Sequence, residues 1–294
     1  MSPQVTHFPR SALPAALAAL LMAAPAAGAD PIPARPRVAP AGSPASPLAR
    51  TFTDWDQPPP PGPPPGPELL ALGERVFRGA CLGCHGEKGE GDGREGKLIP
   101  IPPRDFVVAQ FLCRHTPSGS LPRDEDLFRS IRRGFRSEVG MPAFRFLSDR
   151  EVWAVISFLK TLSPRWQEDE VPPPLLVPKP PPFTAEGVVR GEAVYKKLGC
   201  AACHGLGGRG DGKSAKTLKY DSGKPVRPAD FSRQADFKCG QRPGDVFRTL
   251  VNGMDGSPMP SFADETTTEQ RWDLVQFVLS VERTVGTAAS ATGR

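Results

Sequence analysis

The chain has 294 residues, 37 of them proline, and a formal charge of +5 from 37 basic and 32 acidic side chains. That length predicts about two domains, and prolines so far above the ordinary share of roughly 5% are clustered as linkers. Residues 68–162 and 184–283 each hold fifteen basic and thirteen acidic side chains, which excludes the clustered basic excess that nucleic-acid binding requires.

The N-terminus reads as an export signal over residues 1–29. Arg10 is its sparse basic region, Ala12 to Ala27 its apolar stretch, and Ala27-Gly28-Ala29 a small-x-small cleavage site. The apolar stretch is short against the roughly 20 residues of a spanning helix, and no other segment is apolar enough to span. A soluble, periplasmic mature product is therefore expected, with no transmembrane segment. Residues 30–67 are rich in Pro, Ala and Gly and end in a ten-residue run of Pro and Gly. Such a run favours extended polyproline geometry with little to bury, so a disordered spacer is expected.

Residues 68–162 form a first module. Leu69, Leu72, Val76 and Phe77 recur at helical spacing and lead into Cys81-Leu82-Gly83-Cys84-His85. Gly-rich and Pro-rich loops follow. Ser148-Asp149-Arg150-Glu151 is then a capping-box pattern opening a helix through Leu162, with Val152, Trp153, Ile156 and Leu159 on one face. Residues 163–183, Pro-rich from Pro172 to Pro182, read as a short, fairly stiff linker. A second module spans 184–283, and residues 284–294 read as a flexible tail.

The second module repeats the first. Gly191-Glu192-Ala193-Val194-Tyr195 answers Gly73-Glu74-Arg75-Val76-Phe77 and leads into Cys200-Ala201-Ala202-Cys203-His204. Gly210-Asp211-Gly212 answers Gly91-Asp92-Gly93, and Pro228-Ala229-Asp230-Phe231 answers Pro103-Arg104-Asp105-Phe106. Met259-Pro260-Ser261-Phe262 answers Met141-Pro142-Ala143-Phe144. The halves are one all-α domain duplicated.

C-x-x-C-H is the attachment pattern of c-type haem: two cysteines three apart can add to the two vinyl groups of one porphyrin while the adjacent histidine reaches its iron. Zinc would need further ligands near each motif, and no second C-x-x-C or paired His supplies them. Cys81, Cys84, Cys200 and Cys203 are thus expected to hold two covalent haems, with His85 and His204 as iron ligands. Met141 and Met259 follow their histidines by 56 and 55 residues. A thioether there would raise the potential and close the site to oxygen or peroxide; the bland reading is two core methionines. Met254 and His115 compete as ligands, but neither has a counterpart in the other module.

The duplicated C-x-x-C-H and Met-Pro pattern resembles the class I cytochrome c family in its bacterial di-haem form, over residues 68–162 and 184–283. The resemblance implies three to five helices around each haem, with His85 and His204 proximal and Met141 and Met259 distal. It implies a proline carbonyl orienting each proximal imidazole, drawn from Pro100 to Pro103 in one half and from Pro225 or Pro228 in the other. Haem attachment outside the bacterial membrane agrees with the export signal.

Two further cysteines, Cys113 and Cys239, each lie two residues after a phenylalanine, at equivalent repeat positions. They either bridge the modules as a disulfide or remain buried free thiols; ligation of iron by one of them is a third option. Arg129, Arg132, Arg133 and Arg136 share one helical face, which reads either as a solvated surface or as a patch steering an acidic partner. The expected function is single-electron carriage between respiratory donor and acceptor proteins, without catalysis. The alternatives are a di-haem peroxidase or sulfur-compound oxidoreductase, or the electron-transfer subunit of a larger membrane oxidoreductase, associated with a respiratory complex.

Overall fold

The computed structural model describes residues 58–135, 140–233 and 236–291. The expected export signal, residues 30–57 of the spacer, and Arg136 lie outside them. Among the described residues the secondary structure is α-helix with short 3-10 turns, and strand pairing is limited to one bridge between Lys219 and Pro225. The first module carries α1 (Pro67–Ala80), α2 (Leu82–His85), α3 (Asp124–Arg133), α4 (Asp149–Leu159) and α5 (Arg165–Glu168). The second carries α6 (Ala185–Lys197), α7 (Ala201–His204), α8 (Pro243–Asn252) and α9 (Thr268–Ala291).

Each module is built on the crossing of its first and last long helices. In α1 the apolar spacing buries Leu69, Val76 and Phe77 along with Gly73. In α4 the Ser148 hydroxyl accepts from Glu151 N while the Glu151 carboxylate accepts from Ser148 N at 2.7 Å, a reciprocal cap that starts the helix. The two helices meet at Gly73, where a Cβ would lie 2.0 Å from the Ala154 carbonyl oxygen. Helices α6 and α9 repeat the arrangement at Gly191, where a Cβ would lie 1.9 Å from the Asp273 carbonyl oxygen. Only glycine allows backbones so close, because it alone has no Cβ.

Helices α3 and α8 close the modules in parallel fashion. Asp126 and Asp245, both buried, accept at their helix starts from Arg123 N and Arg242 N. Phe128 of α3 packs on Trp153 with ring centroids 4.8 Å apart, and Phe247 of α8 packs on Trp272 at 4.4 Å. Aromatic pairs of this kind bury much apolar area and add about 0.5–1.5 kcal/mol beyond it.

Two segments read as spacer and linker are packed more than the sequence predicts. Residues 58–66 are non-helical but lie along the first module, where Trp153 Nε1 donates to Pro60 O at 3.1 Å; a buried indole N–H needs an acceptor. In the segment joining the modules, Trp166 and Val171 pack on the first core and Val177 and Phe183 on the second. Arg165 there donates to Ala109 O and Gly119 O. Helix α9 continues through Ala291, past the 283 boundary expected for the second module.

The modules are joined by a disulfide between Cys113 and Cys239. Leu112, Phe135 and Met254 pack with it, forming a small junction core. Around it, Arg114 donates to Asn252 O while Asn252 Nδ2 donates to Arg114 O, and Arg133 donates to Phe237 O and Lys238 O. The ends of α3 and α8 thus each hold the cysteine loop of the other module.

Candidate haem sites

Each C-x-x-C-H motif sits on a single helical turn, α2 or α7, entered directly from the module's first helix. Cys81, Cys84, Cys200 and Cys203 are all free thiols. Burial pushes the Cys81 thiol up to about 12 and the Cys200 thiol up to about 11. The turns end at Gly86 and Gly205, with φ of +80° and +77°, where a Cβ would also strike the Asp92 or Asp211 carboxylate. The chain therefore reverses sharply after each histidine.

The histidines are placed alike. His85 Nδ1 lies 3.0 Å from Arg104 O, and His204 Nδ1 lies 3.2 Å from Ala229 O. A carbonyl can only accept, so Nδ1 carries the proton and Nε2 keeps its lone pair for a metal. The rings stack on Phe106 at 4.3 Å and on Phe231 at 4.7 Å. Burial lowers both imidazoles, His85 to about 4, and keeps them neutral. The accepting carbonyls belong to the residues just after Pro103 and Pro228, correcting the expectation of a proline carbonyl. The turn through Pro-Arg-Asp-Phe and Pro-Ala-Asp-Phe aims the next peptide oxygen at the ring.

Met141 and Met259 occupy matched loops. Helices α3 and α8 end at Gly134 and Gly253, with φ of +65° and +63°, and a Cβ at either would collide with the methionine loop backbone. Phe135 N donates to Met141 O at 2.9 Å, and Met254 N donates to Met259 O at 3.0 Å. Phe144 N to Ile131 O and Phe262 N to Leu250 O close the other side of each loop. Met141 packs against the first core and Met259 against the second. The two glycines escaped the sequence reading, although their position just before Phe135 and Met254 is shared by both repeats.

The second module encloses a cavity of about 410 Å³. Cys200, Cys203, His204 and Met259 all line it, among mostly apolar neighbours, and Leu112 reaches it from the first module. Met254 lines it too, but it stands where the first module has Phe135, against the disulfide. Among the described residues no cluster of three His, Cys, Asp or Glu would hold a bare metal ion. Paired thiols, one neutral imidazole and a thioether around an apolar slot instead fit a macrocycle that brings its own four nitrogen ligands.

The remaining candidates have structural places. His115 donates from Nδ1 to the Asp126 carboxylate and from its backbone N–H to Asp126 Oδ2 at 2.9 Å, fixing the start of α3. Arg132 donates to Phe144 O, Leu147 O and Asp149, and Arg129 pairs with Asp126. With Arg133 at the junction, Arg129, Arg132 and Arg133 are neither simply solvated nor a free steering patch.

Comparison with known proteins agrees with this geometry. The family described as cytochrome c matches residues 188–282, and the cytochrome c oxidase, cbb3-type, subunit III family matches residues 68–159. Fourteen chains of solved structures match. One, from the Kuenenia stuttgartiensis reducing HAO-like protein complex Kustc0457/Kustc0458, is 37% identical with a TM-score of 0.68, over 71% of this chain and 95% of that one. No curated protein matches. Two cytochrome c domains in tandem imply two covalently bound haem c groups and electron transfer, and the chain belongs to the class I c-type cytochromes as a di-haem member.

Proposed function

We propose that the protein is an exported, periplasmic carrier of single electrons between respiratory donor and acceptor proteins, with both haems held by histidine and methionine. Cys81 and Cys84 would fix the first haem, Cys200 and Cys203 the second. His85 and His204 would bind from the proximal side, Met141 and Met259 from the distal side. A bound haem supplies reversible one-electron exchange at iron.

The observation that carries this reading is the matched pair of methionine loops, each anchored by a backbone bond to the residue after a left-handed glycine. A thioether held on so short a tether is available in both oxidation states, so the loops need not rearrange with each electron. The Nδ1 bonds of His85 and His204 fix the opposite imidazoles. With a histidine and a methionine both holding each haem, neither module would leave an open position for peroxide or a sulfur compound. Optical spectra test it: two low-spin haems per chain with the weak near-infrared methionine-to-iron band are expected.

A second reading, the electron-transfer subunit of a larger oxidoreductase, is favoured by the 37% identical chain, which belongs to a reducing HAO-like protein complex. Among the described residues no helix is long and apolar enough to cross a membrane. Sedimentation of the haem-stained protein in cell extract tests this, a species larger than one chain being expected.

A further inference from the structure

The repeats differ in length between the haem motif and the proximal loop. Ten positions separate Gly93 from Pro103, but sixteen separate Gly212 from Pro228. The extra length folds into a small hairpin between Leu218 and Val226. Tyr220 N donates to Lys224 O, Gly223 N to Tyr220 O and Val226 N to Leu218 O, around the bridge between Lys219 and Pro225.

This hairpin reaches across to the first module. Lys224 Nζ donates to Gly96 O at 2.9 Å. The Arg104 guanidinium lies over the Tyr220 ring, 5.7 Å from its centroid. Arg104 also fits against Gly256, where a Cβ would lie 2.8 Å from Nη1, and Asp221 N donates to Gly256 O. Tyr220 is 4% exposed and lines the second haem cavity. The backbone carbonyl of Arg104 meanwhile accepts from the His85 imidazole. One residue therefore touches the proximal histidine of the first module and the wall of the second haem cavity. The second module has Ala229 at that position, too short to return the contact, and the first has no hairpin.

We infer that the Arg104 and Tyr220 contact is the junction through which electrons pass between the two haems, and that the inserted hairpin exists to hold it. The inference rests on the two-haem, His/Met reading above. One electron is lost by the site at His85 and gained by the site at His204; no proton or atom moves, and neither Arg104 nor Tyr220 is oxidised. A continuous packed path favours such transfer, because electronic coupling falls steeply across unfilled gaps.

The test follows haem-to-haem equilibration after flash photoreduction of the intact protein, in a Met141→His background. Replacing the thioether by imidazole lowers the first haem's potential, so the electron moves visibly towards the second. Tyr220→Ala and Arg104→Ala should each slow equilibration by about tenfold, with the double variant no slower than the slower single one. Tyr220→Phe, which keeps the ring, should restore the rate. Independently of electron flow, Arg104→Ala should speed hydrogen exchange at the Tyr220 and Asp221 amides. An unchanged rate in Tyr220→Ala, or unchanged exchange in Arg104→Ala, overturns the inference. The two readings fail differently. Absence of a potential shift on Met141→His counts against the ligand assignment, whereas a shift with an unchanged Tyr220→Ala rate overturns only the junction.

Discussion

Cys113 is bonded to Cys239 across 126 residues of chain, with Cα atoms 5.2 Å apart, and this cross-link ties the two haem modules together in addition to the segment between them. Closing so long a loop removes much of the unfolded chain's freedom, worth about 5 kcal/mol by chain entropy. Replacing both cysteines with alanine should lower the guanidinium unfolding midpoint of the haem-loaded protein accordingly. Free-thiol titration of the unfolded, unreduced wild type should find no reactive pair; two reactive thiols would contradict the bridge.

Arg114 beside that bridge is a buried charge with a full set of partners. It pairs with Asp255 at 2.8 Å and donates to Phe111 O, Pro117 O and Asn252 O. Burial lowers its pKa, and Asp255 opposes the shift. Arg114→Ala should cost about 3–5 kcal/mol, since Asp255 loses its cation and three carbonyls lose a donor. Arg114→Lys should recover little of this, because an ammonium cannot reproduce the planar fork. Chemical denaturation of both variants measures it.

Gly191 should tolerate no side chain. Gly191→Ala drives a methyl into the Asp273 carbonyl and the Phe277 Cβ, so α6 and α9 must separate. A loss of about 1–3 kcal/mol is expected, seen as a lower melting temperature and a lower yield of the second haem. Gly79→Ala isolates the effect, since Gly79 is an exposed helical glycine with open space around its Cβ position and should tolerate the methyl.

Arg132 should matter for stability and not for steering. Its bonds to Phe144 O, Leu147 O and Asp149 hold the chain that follows Met141. Arg132→Gln should destabilise the first module by about 1.5–3 kcal/mol, the range for hydrogen bonds to a charged group. The dependence of its reduction rate on salt should match wild type. A rate that falls at low salt and recovers at high salt would instead support a docking role.

Much of the architecture was legible because duplication exposed it. The two C-x-x-C-H motifs, the paired Met-Pro segments, Gly73 with Gly191 and Trp153 with Trp272 all recur at matched positions, and matched positions proved to share matched surroundings. What stayed hidden depends on contacts between distant segments. The Arg104 and Ala229 carbonyls are backbone groups and leave no residue-type signal. Arg114 was unreadable because a lone arginine ordinarily marks surface. The spacing of Arg129, Arg132 and Arg133 gave their common helical face, but could not say that the Met141 loop and the Cys239 loop cover it. Tyr220 lies in a stretch where the repeats differ in length, so no comparison between them pointed to it.

The central claim is that each module holds its haem between a histidine and a methionine and leaves no open position at iron. The most direct measurement is the visible and near-infrared spectrum of the oxidised protein, with haem counted by pyridine haemochrome, in wild type, Met141→Ala and Met259→Ala. Two low-spin haems are predicted for wild type, with the methionine-to-iron band reduced by about half in each variant as one site turns high-spin. A wild-type protein with a substantial high-spin haem, or a band that neither substitution alters, would contradict it.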